Sequence, residues 1–580
     1  MCGIWVSIGK PVANPEYSVS QLEDRGPEGT RIVNGNGYQL GFTRLAINGL
    51  SEAGMQPMSF GSMQWVCNGE IYNWKTLAVQ YDIGVESDSD CEVLGELLTK
   101  LAPQTDGATF FRSLDGVFAF ACVDASSDSL WVARDPYGVR PLFVGYALGP
   151  VVQSPDSNKK YISVRDGIRE VTSILFGSTL KSLASTCEII EPFPPGHYAV
   201  YNIKTLERIG FEAYHTVPWL KTVGDNVDDA CASIRKGLTS AVTKRLMAER
   251  PVAALLSGGI DSSIVAALLQ KSRTDAGEAP LKTFSIGFEG SEDLRYARIV
   301  ANHIGSDHTE IIKTPQDFFD AIPDVIQAIE SYDITTVRAS IGNWLVSKEI
   351  KERTDCKVVF NGDGADEIFG SYMYFYNAPS DQAFEYETER LLKDIHYFDV
   401  LRSDRSISSH GLEARTPFLD KQFVNTARSL STFLRRPTKY QCEKWILRKA
   451  FEGTNLLPLN VIWRRKEAFS DGVSGKEKFW FQECQERAEG LMGPRDTWPA
   501  DIKGLKYLPP QTAEAAYYRT VFQRWFGKKY DHVTVPYHWM PKWSGSVNDP
   551  SAKMLDISTN GIVGPLVSDD LSIHSHIQIR

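Results

Sequence analysis

The chain has 580 residues, with 62 Lys+Arg against 72 Asp+Glu and a net charge of −10. Single cores stop growing near roughly 250–300 residues, so this length predicts more than one domain. The acidic balance argues against a nucleic-acid backbone binder, and 42% hydrophobic with 23% charged residues excludes wholesale disorder.

No run approaches the roughly eighteen apolar residues of a membrane span, and the start lacks a basic stretch followed by an apolar one. The nine cysteines include no C-x-x-C pair, and the ten histidines no H-x-x-x-H pair. That pattern predicts a reducing, cytoplasmic setting rather than a zinc site or a disulfide framework.

In chain order, residues 1–205 read as short strands at 1–8, 40–47, 63–67, 117–123 and 130–133. These are rich in β-branched and aromatic residues and are separated by Gly, Asn, Asp and Pro clusters. A helical spacing interrupts them at 90–101. Residues 149–171 are polar and carry Pro, Ser and Asp, which predicts a surface loop. Strand and turn return at 192–201, and the character changes between 202 and 225. From 228 onward helical periodicity alternates with short buried strands at 252–256, 282–288 and 357–360, with helices at 262–271 and 293–304. Such alternation indicates a parallel α/β sheet, whose ligands bind outside the carboxyl ends of the strands. Residues 380–535 are mainly helical by pattern. The tail at 544–580 is dominated by Ser, Asn, Asp, Gly and Pro and is expected to be poorly ordered.

Four stretches carry chemistry. In Met1-Cys2-Gly3, removal of Met1 would leave a free α-amine on the same residue as a thiol. Such an amine, with a pKa near ~7.7–8, is a competent base for activating that nucleophile. Asn68-Gly69-Glu70 follows a strand and offers the side-chain amide and the backbone N–H that an oxyanion hole requires. Arg44 and Asp90 could hold the carboxylate and ammonium of an amino-acid substrate. Further on, Leu256-Ser257-Gly258-Gly259-Ile260-Asp261-Ser262 runs from strand to helix, where glycine N–H groups and a helix N-terminus suit an anion. Its five fixed residues recur by chance in roughly one chain in a thousand of this length. Because the Walker lysine is missing, the loop suits pyrophosphate as a leaving group better than terminal phosphoryl transfer. A second Gly-rich turn, Asn361-Gly362-Asp363-Gly364-Ala365-Asp366, follows another strand. Asp261 and Asp366 are candidate ligands for Mg²⁺, a hard cation that takes carboxylate and phosphate oxygens.

Taken together these motifs resemble the glutamine-hydrolysing asparagine synthetases, from Met1 to about residue 553. Asp24-Arg25-Gly26-Pro27-Glu28, Ser89-Asp90-Cys91-Glu92, Arg134-Asp135-Pro136-Tyr137-Gly138-Val139-Arg140, Gly411-Leu412-Glu413-Ala414-Arg415 and the segment around Lys466 carry the likeness. Trp539-Met540-Pro541-Lys542-Trp543 is similar to the animal enzymes in particular. The resemblance implies a layered αββα glutaminase of the N-terminal-nucleophile type at 2–205. It also implies a parallel-sheet ATP-pyrophosphatase domain with helical additions at 211–535. Cys2 would attack glutamine, with Asn68 and Gly69 as oxyanion donors and Arg44, Leu45, Ala46, Ile47, Asn48, Glu70 and Asp90 around the substrate. Ammonia would pass through an internal tunnel to a second site. There aspartate and ATP would form β-aspartyl-AMP, and ammonia would displace AMP. Leu256, Ser257, Gly258, Gly259, Asp261, Ser262, Ile286, Asn361 and Gly362 would contact ATP. Thr335, Thr336, Arg338, Asp363 and Lys466 would surround the reacting carboxylate, the last three as catalytic residues. A homodimer without nucleic-acid or membrane partners is implied as well.

Four departures stand out: Glu28 for a usual aspartate within an altered 22–28 stretch, Asn361 and Asp363 for a usual Ser and Glu, a longer 149–171, and Thr179 for a glutamate. Two alternatives remain at this point. One is an amidotransferase with another acceptor, and the other is a synthetase-like regulator with a weakened second site.

Overall fold

The computed structural model describes residues 1–102, 107–152, 159–164, 167–217, 224, 226–466, 472–475 and 478–541. Thirteen strands build its first part: β1 Gly3–Gly9, β2 Gly29–Gly35, β3 Tyr38–Arg44, β4 Met58–Phe60, β5 Met63–Ile71, β6 Gly116–Asp124, β7 Ser129–Arg134, β8 Phe143–Val152, β9 Tyr161–Val164, β10 Gly167–Gly177, β11 Ile189–Pro192, β12 His197–Asn202 and β13 Arg208–Ala213. One antiparallel sheet runs β11-β8-β10-β1-β3-β2 with β9 on β10, and the other runs β13-β12-β7-β6-β5-β4. The two stack face to face. Along β1, Ile4, Val6 and Ile8 join Val66, Ala119, Ala121 and Val132 of the opposite sheet in one core, as the period-two alternation of a strand requires. Helices Val93–Leu101 and Gly107–Ser113 cover the outer face of the second sheet, with Leu94, Leu97, Phe110 and Phe111 packed among Trp65, Phe118 and Phe120. On the outer face of the first sheet, Trp5, Val19, Leu175 and Leu183 share a core with Phe284, Ile326 and Ile341 of the second part. The layered αββα arrangement is therefore closed on one side by the other half of the molecule.

The stretch 149–171 is largely strand, not the surface loop that its composition suggests. β9 pairs antiparallel with β10, and β10 with β8; residues 153–158 and 165–166 lie outside the described residues. Val151, Val152, Ile162, Val164, Ile168 and Val171 supply the β-branched residues that suit a paired strand, and these outweigh the polar composition. The second sheet also continues past residue 205, since β13 pairs with β12.

The second part is a parallel sheet of β14 Val252–Leu255, β15 Lys282–Gly287, β16 Asp307–Ile312, β17 Val358–Phe360 and β18 Glu413–Arg415, in the order β16-β15-β14-β17-β18. Helices Ile260–Asp275, Glu292–Ile304 and Ile334–Arg353 connect the strands. The chain leaves β14 toward β15 and later returns on its other side through β17. The loop after β14 thus lies at a topological switch point, where such sheets bind ligands. Residues 380–535 are mainly helical, as their pattern predicts. β18 is the exception, and at three residues it is too short to show a period. The tail at 544–580, with Lys542 and Trp543, lies outside the described residues.

Candidate active sites

Cys2 stands at the entry to β1, and the pairing of Gly3 with Thr43 brings the end of β3 beside it. The Leu45 N–H donates to Cys2 Sγ, and Sγ lies against the Leu45 carbonyl, both at 3.5 Å. On β5, Asn68 shares with Val66 the face turned toward β1. Asn68 is fully buried, and neither its Nδ2 nor its Oδ1 has a hydrogen-bond partner among the described residues. Leaving buried polar atoms unpaired costs about 1–3 kcal/mol, so this amide is held ready for a ligand. Around the same corner, Asn48 Nδ2 donates to Glu70 Oε2 at 2.7 Å and the Ile71 N–H to Asp90 Oδ2 at 2.6 Å. Arg44 donates to the Gly49 carbonyl at 2.6 Å. Burial pushes the Cys2 thiol up to about 11 and Asp90 up to about 6. Burial, with Glu413 and Asp90 adding to it, raises Glu70 well above the carboxylate range.

Met1 is 1% exposed and closes this site from the second part. Its α-nitrogen donates to the Leu412 carbonyl at 3.3 Å, and burial lowers its pKa to about 5. Arg25 donates to the Cys2 carbonyl at 3.1 Å and pairs with Asp404 at 2.8 Å.

The second group surrounds a cavity of about 260 Å³ at the carboxyl ends of β14, β15 and β17. Gly258 has φ +71°, and a Cβ there would stand 2.4 Å from Tyr296 Cβ. A Cβ on Gly362 would stand 2.8 Å from Asp261 Cβ. Gly258 thus lets the turn after β14 pack against helix Glu292–Ile304, and Gly362 lets the turn after β17 close on the one after β14. Gly259 caps helix Ile260–Asp275, whose unpaired first-turn N–H groups form an anion site. Leu256, Ser257, Asp261, Ser262, Ile286, Asn361, Gly362, Thr335 and Thr336 also line the cavity, as do Asp363, Asp366 and Lys466.

Arg338 is not brought to the cavity wall. It lies one residue, about 100°, round the helix from Ala339, which does line it. Its Nε donates to Glu514 at 2.7 Å, a carboxylate that also accepts from the Tyr518 hydroxyl. Through Glu514, Arg338 ties this helix to helix Ala513–Phe526.

Sequence reasoning missed Lys444. Its buried Nζ bridges Asp261 and Asp366, 2.6 Å from the latter, while Lys466 also sits on Asp366. Burial works to raise the Asp366 pKa, but Lys444 and Lys466 together hold it well below the carboxylate range. Asp261 Oδ1 is buried and unpartnered. Two carboxylates with an open oxygen fit a hard divalent cation whose remaining ligands come from phosphate. Among the described residues no group of three or more His, Cys, Asp or Glu could hold a metal by itself.

Asp363 is framed by a helix the sequence reading left without a role. Its Oδ1 accepts from Arg402 at 2.9 Å, and its Oδ2 is buried without a partner. Asn361 Oδ1 accepts from the Asp363 N–H at 3.3 Å, and its Nδ2 donates to Ser403 Oγ at 2.6 Å. Asn361 thus ties the altered turn to helix Asp399–Ser408. Burial pushes Asp363 up to about 7, with Arg402 opposing and Asp399 adding. Trp539, also unassigned beforehand, lines the cavity and donates from Nε1 to Thr335 Oγ1 at 2.9 Å. Only its motif could have signalled it. For Lys444 and Arg402 no local pattern exists.

The glutamine amidotransferase domain family matches residues 1–214, and the asparagine synthase family matches 233–386 and 377–544. The chain is 40% identical over 579 residues to a glutamine-hydrolysing asparagine synthetase of Gallus gallus, covering 96% of this chain and 98% of that one. It is 39% identical over 580 residues to the corresponding Homo sapiens enzyme, with the same coverage.

Proposed function

The chain belongs to the glutamine-hydrolysing asparagine synthetase family, and from that premise we propose how its two sites divide one reaction. The reaction converts ATP, L-aspartate, L-glutamine and water to L-asparagine, L-glutamate, AMP and diphosphate. At the first site the Cys2 thiol attacks the glutamine amide carbon, and Asn68 Nδ2 with the Gly69 N–H receives the oxyanion. Ammonia leaves, and water releases glutamate from the thioester. Arg44, Leu45, Ala46, Ile47, Asn48, Glu70 and Asp90 surround the substrate. Cys2 acts through its own α-amine as base, so Met1 has to be removed, and a chain that retains Met1 behaves like one lacking the thiol.

At the second site the aspartate β-carboxylate attacks the α-phosphorus of ATP. Pyrophosphate leaves onto the Ser257–Ser262 turn and helix N-terminus, beside Lys444 and Lys466. Asp261 and Asp366 would hold Mg²⁺, which would neutralise phosphate charge. Leu256 and Ile286 border the nucleotide, and Thr335 and Thr336 the aspartate. Ammonia then attacks the acyl carbon and AMP departs, with Asp363 managing the proton.

The observation that carries this reading is that β18 touches both sites. Arg415 NH2 lies 3.4 Å from Glu70, and the Arg415 carbonyl accepts from the Asn361 N–H at 3.1 Å. One strand thus borders both sites, which supports an internal passage of ammonia between them. We assign the glutaminase to 2–205, with β13 completing its sheet across the boundary, and the synthetase to 211–535. No described helix is long and apolar enough to cross a membrane, and the family likeness supports a cytoplasmic homodimer without nucleic acid. The test supplies ATP, aspartate and amide-labelled glutamine. Labelled asparagine, glutamate, AMP and diphosphate in equal amounts are expected; ADP, or label in another acceptor, overturns the assignment.

A further inference from the structure

The two halves also meet through a short connector that the reaction scheme leaves unused. Helix Val227–Lys244 ends at its C-cap Arg245, and residues 245–251 lead from there into β14, whose far end carries the phosphate loop. The connector is bonded to the first half along its length. The Arg245 guanidinium lies 4.7 Å from the Tyr72 ring centroid, and Trp74 Nε1 stands 3.2 Å from Met247 sulfur.

Its last residues grip the segment after Arg44. Glu249 Oε1 accepts from the Gly49 N–H at 2.6 Å, and the Glu249 N–H donates to the Ile47 carbonyl at 3.0 Å. Arg250 Nε donates to the Ala46 carbonyl at 3.0 Å, and its NH2 meets Glu28 at 3.1 Å. The other Glu28 oxygen accepts from the Ala46 N–H at 2.8 Å. The run from Leu45 to Leu50 belongs to no helix or strand, so these outside partners supply the order that regular structure would otherwise give it. Glu28 is also one of the departures from the family pattern, and its extra methylene lets one carboxylate span Ala46 and Arg250.

We propose that Glu249 and Arg250 are positioning residues for glutamine, holding the Ala46–Gly49 backbone in its binding conformation from the synthetase side. This rests on the reading that 44–48 surround glutamine. The Arg250 and Glu28 side chains are 31% and 27% exposed, so their pair contributes little to global stability. Its loss leaves the fold standing and frees the segment, which must then be reordered each time glutamine binds. Ordering at binding weakens affinity rather than the chemical step.

The experiment measures glutamine KM and kcat for hydrolysis, with ammonia-dependent synthesis in parallel, in Arg250→Ala, Arg250→Lys, Glu28→Asp and Arg44→Ala. Arg250→Ala should raise KM about tenfold with kcat held within about twofold. Arg250→Lys should recover part of the loss, and Glu28→Asp should show a smaller rise of the same kind. An unchanged KM in Arg250→Ala, where Arg44→Ala does raise it, overturns the inference alone. An unchanged KM in Arg44→Ala overturns the underlying reading of 44–48. A fall in ammonia-dependent synthesis matching that in hydrolysis marks Arg250 as structural and overturns the inference as well.

Discussion

The two sites keep their unused capacity in opposite ways. Beside Cys2, Asn68 leaves both polar atoms unpaired. Around the phosphate loop the charges spend themselves on one another, with Lys444 between Asp261 and Asp366. A neutral amide can wait for its ligand at a cost of about 1–3 kcal/mol. Bare buried charges cannot, because desolvation costs several kcal/mol per ion. The thiol site is therefore preset for an oxyanion, whereas the phosphate site must exchange partners when nucleotide enters.

The largest expected effect separates the two outright. Cys2→Ala should lower glutamine-dependent synthesis by about 10⁴-fold or more and leave ammonia-dependent synthesis largely intact. Loss of both in a folded protein would show that the sites are not divided as drawn. Next, Asp261→Ala should cut exchange of labelled pyrophosphate into ATP about a thousandfold, the equivalent of a broken buried charge pair, while glutamine hydrolysis continues. Wild-type exchange would remove Asp261 from the pyrophosphate site. Asn68→Ala asks whether the unpaired amide is preset for the transition state. Its kcat for glutamine hydrolysis should fall about 10²–10³-fold with KM little changed, and a rise in KM alone would make it a ground-state contact.

Asp363 gives the finest test. Asp363→Ala should slow asparagine formation about a hundredfold and spare hydrolysis; equal losses, or none, would deny the residue a catalytic role. Asp363→Glu should also lower activity, because Asn361 and Arg402 frame the shorter side chain. A gain would mean a turn never refitted to aspartate. With its pKa raised to about 7 by burial against Arg402, the ionised form gives asparagine formation an acid limb. Activity should fall about tenfold per pH unit below that value, and Asp363→Asn should flatten the limb. Stability runs the other way. The folded state holds this proton more tightly than the unfolded one, so the contribution of Asp363 to stability grows as pH falls from about 7 toward 3.8.

What could be read from the chain follows from how locally each feature is encoded. Cys2, the Ser257–Ser262 turn and the alternation that yields the parallel sheet each sit within a few consecutive residues. Lys444 reaches Asp261 across 183 positions and Arg402 reaches Asp363 across 39, so no window of sequence contains either pair. For Arg338 the motif gives the helix that lines the cavity, but its pairing with Glu514 spans 176 positions and lies outside any window. The stretch 149–171 misled through composition, since its many polar residues suggest a loop, whereas its described parts pair in β8, β9 and β10.

The cover over Met1 also sets an order of events during synthesis. Its α-nitrogen donates to a carbonyl 411 positions later, so removal of Met1 is expected before the halves close on it. At ~5–20 residues per second, that separation leaves roughly 20–80 s. A chain that closes too soon carries a working synthetase behind a silent thiol.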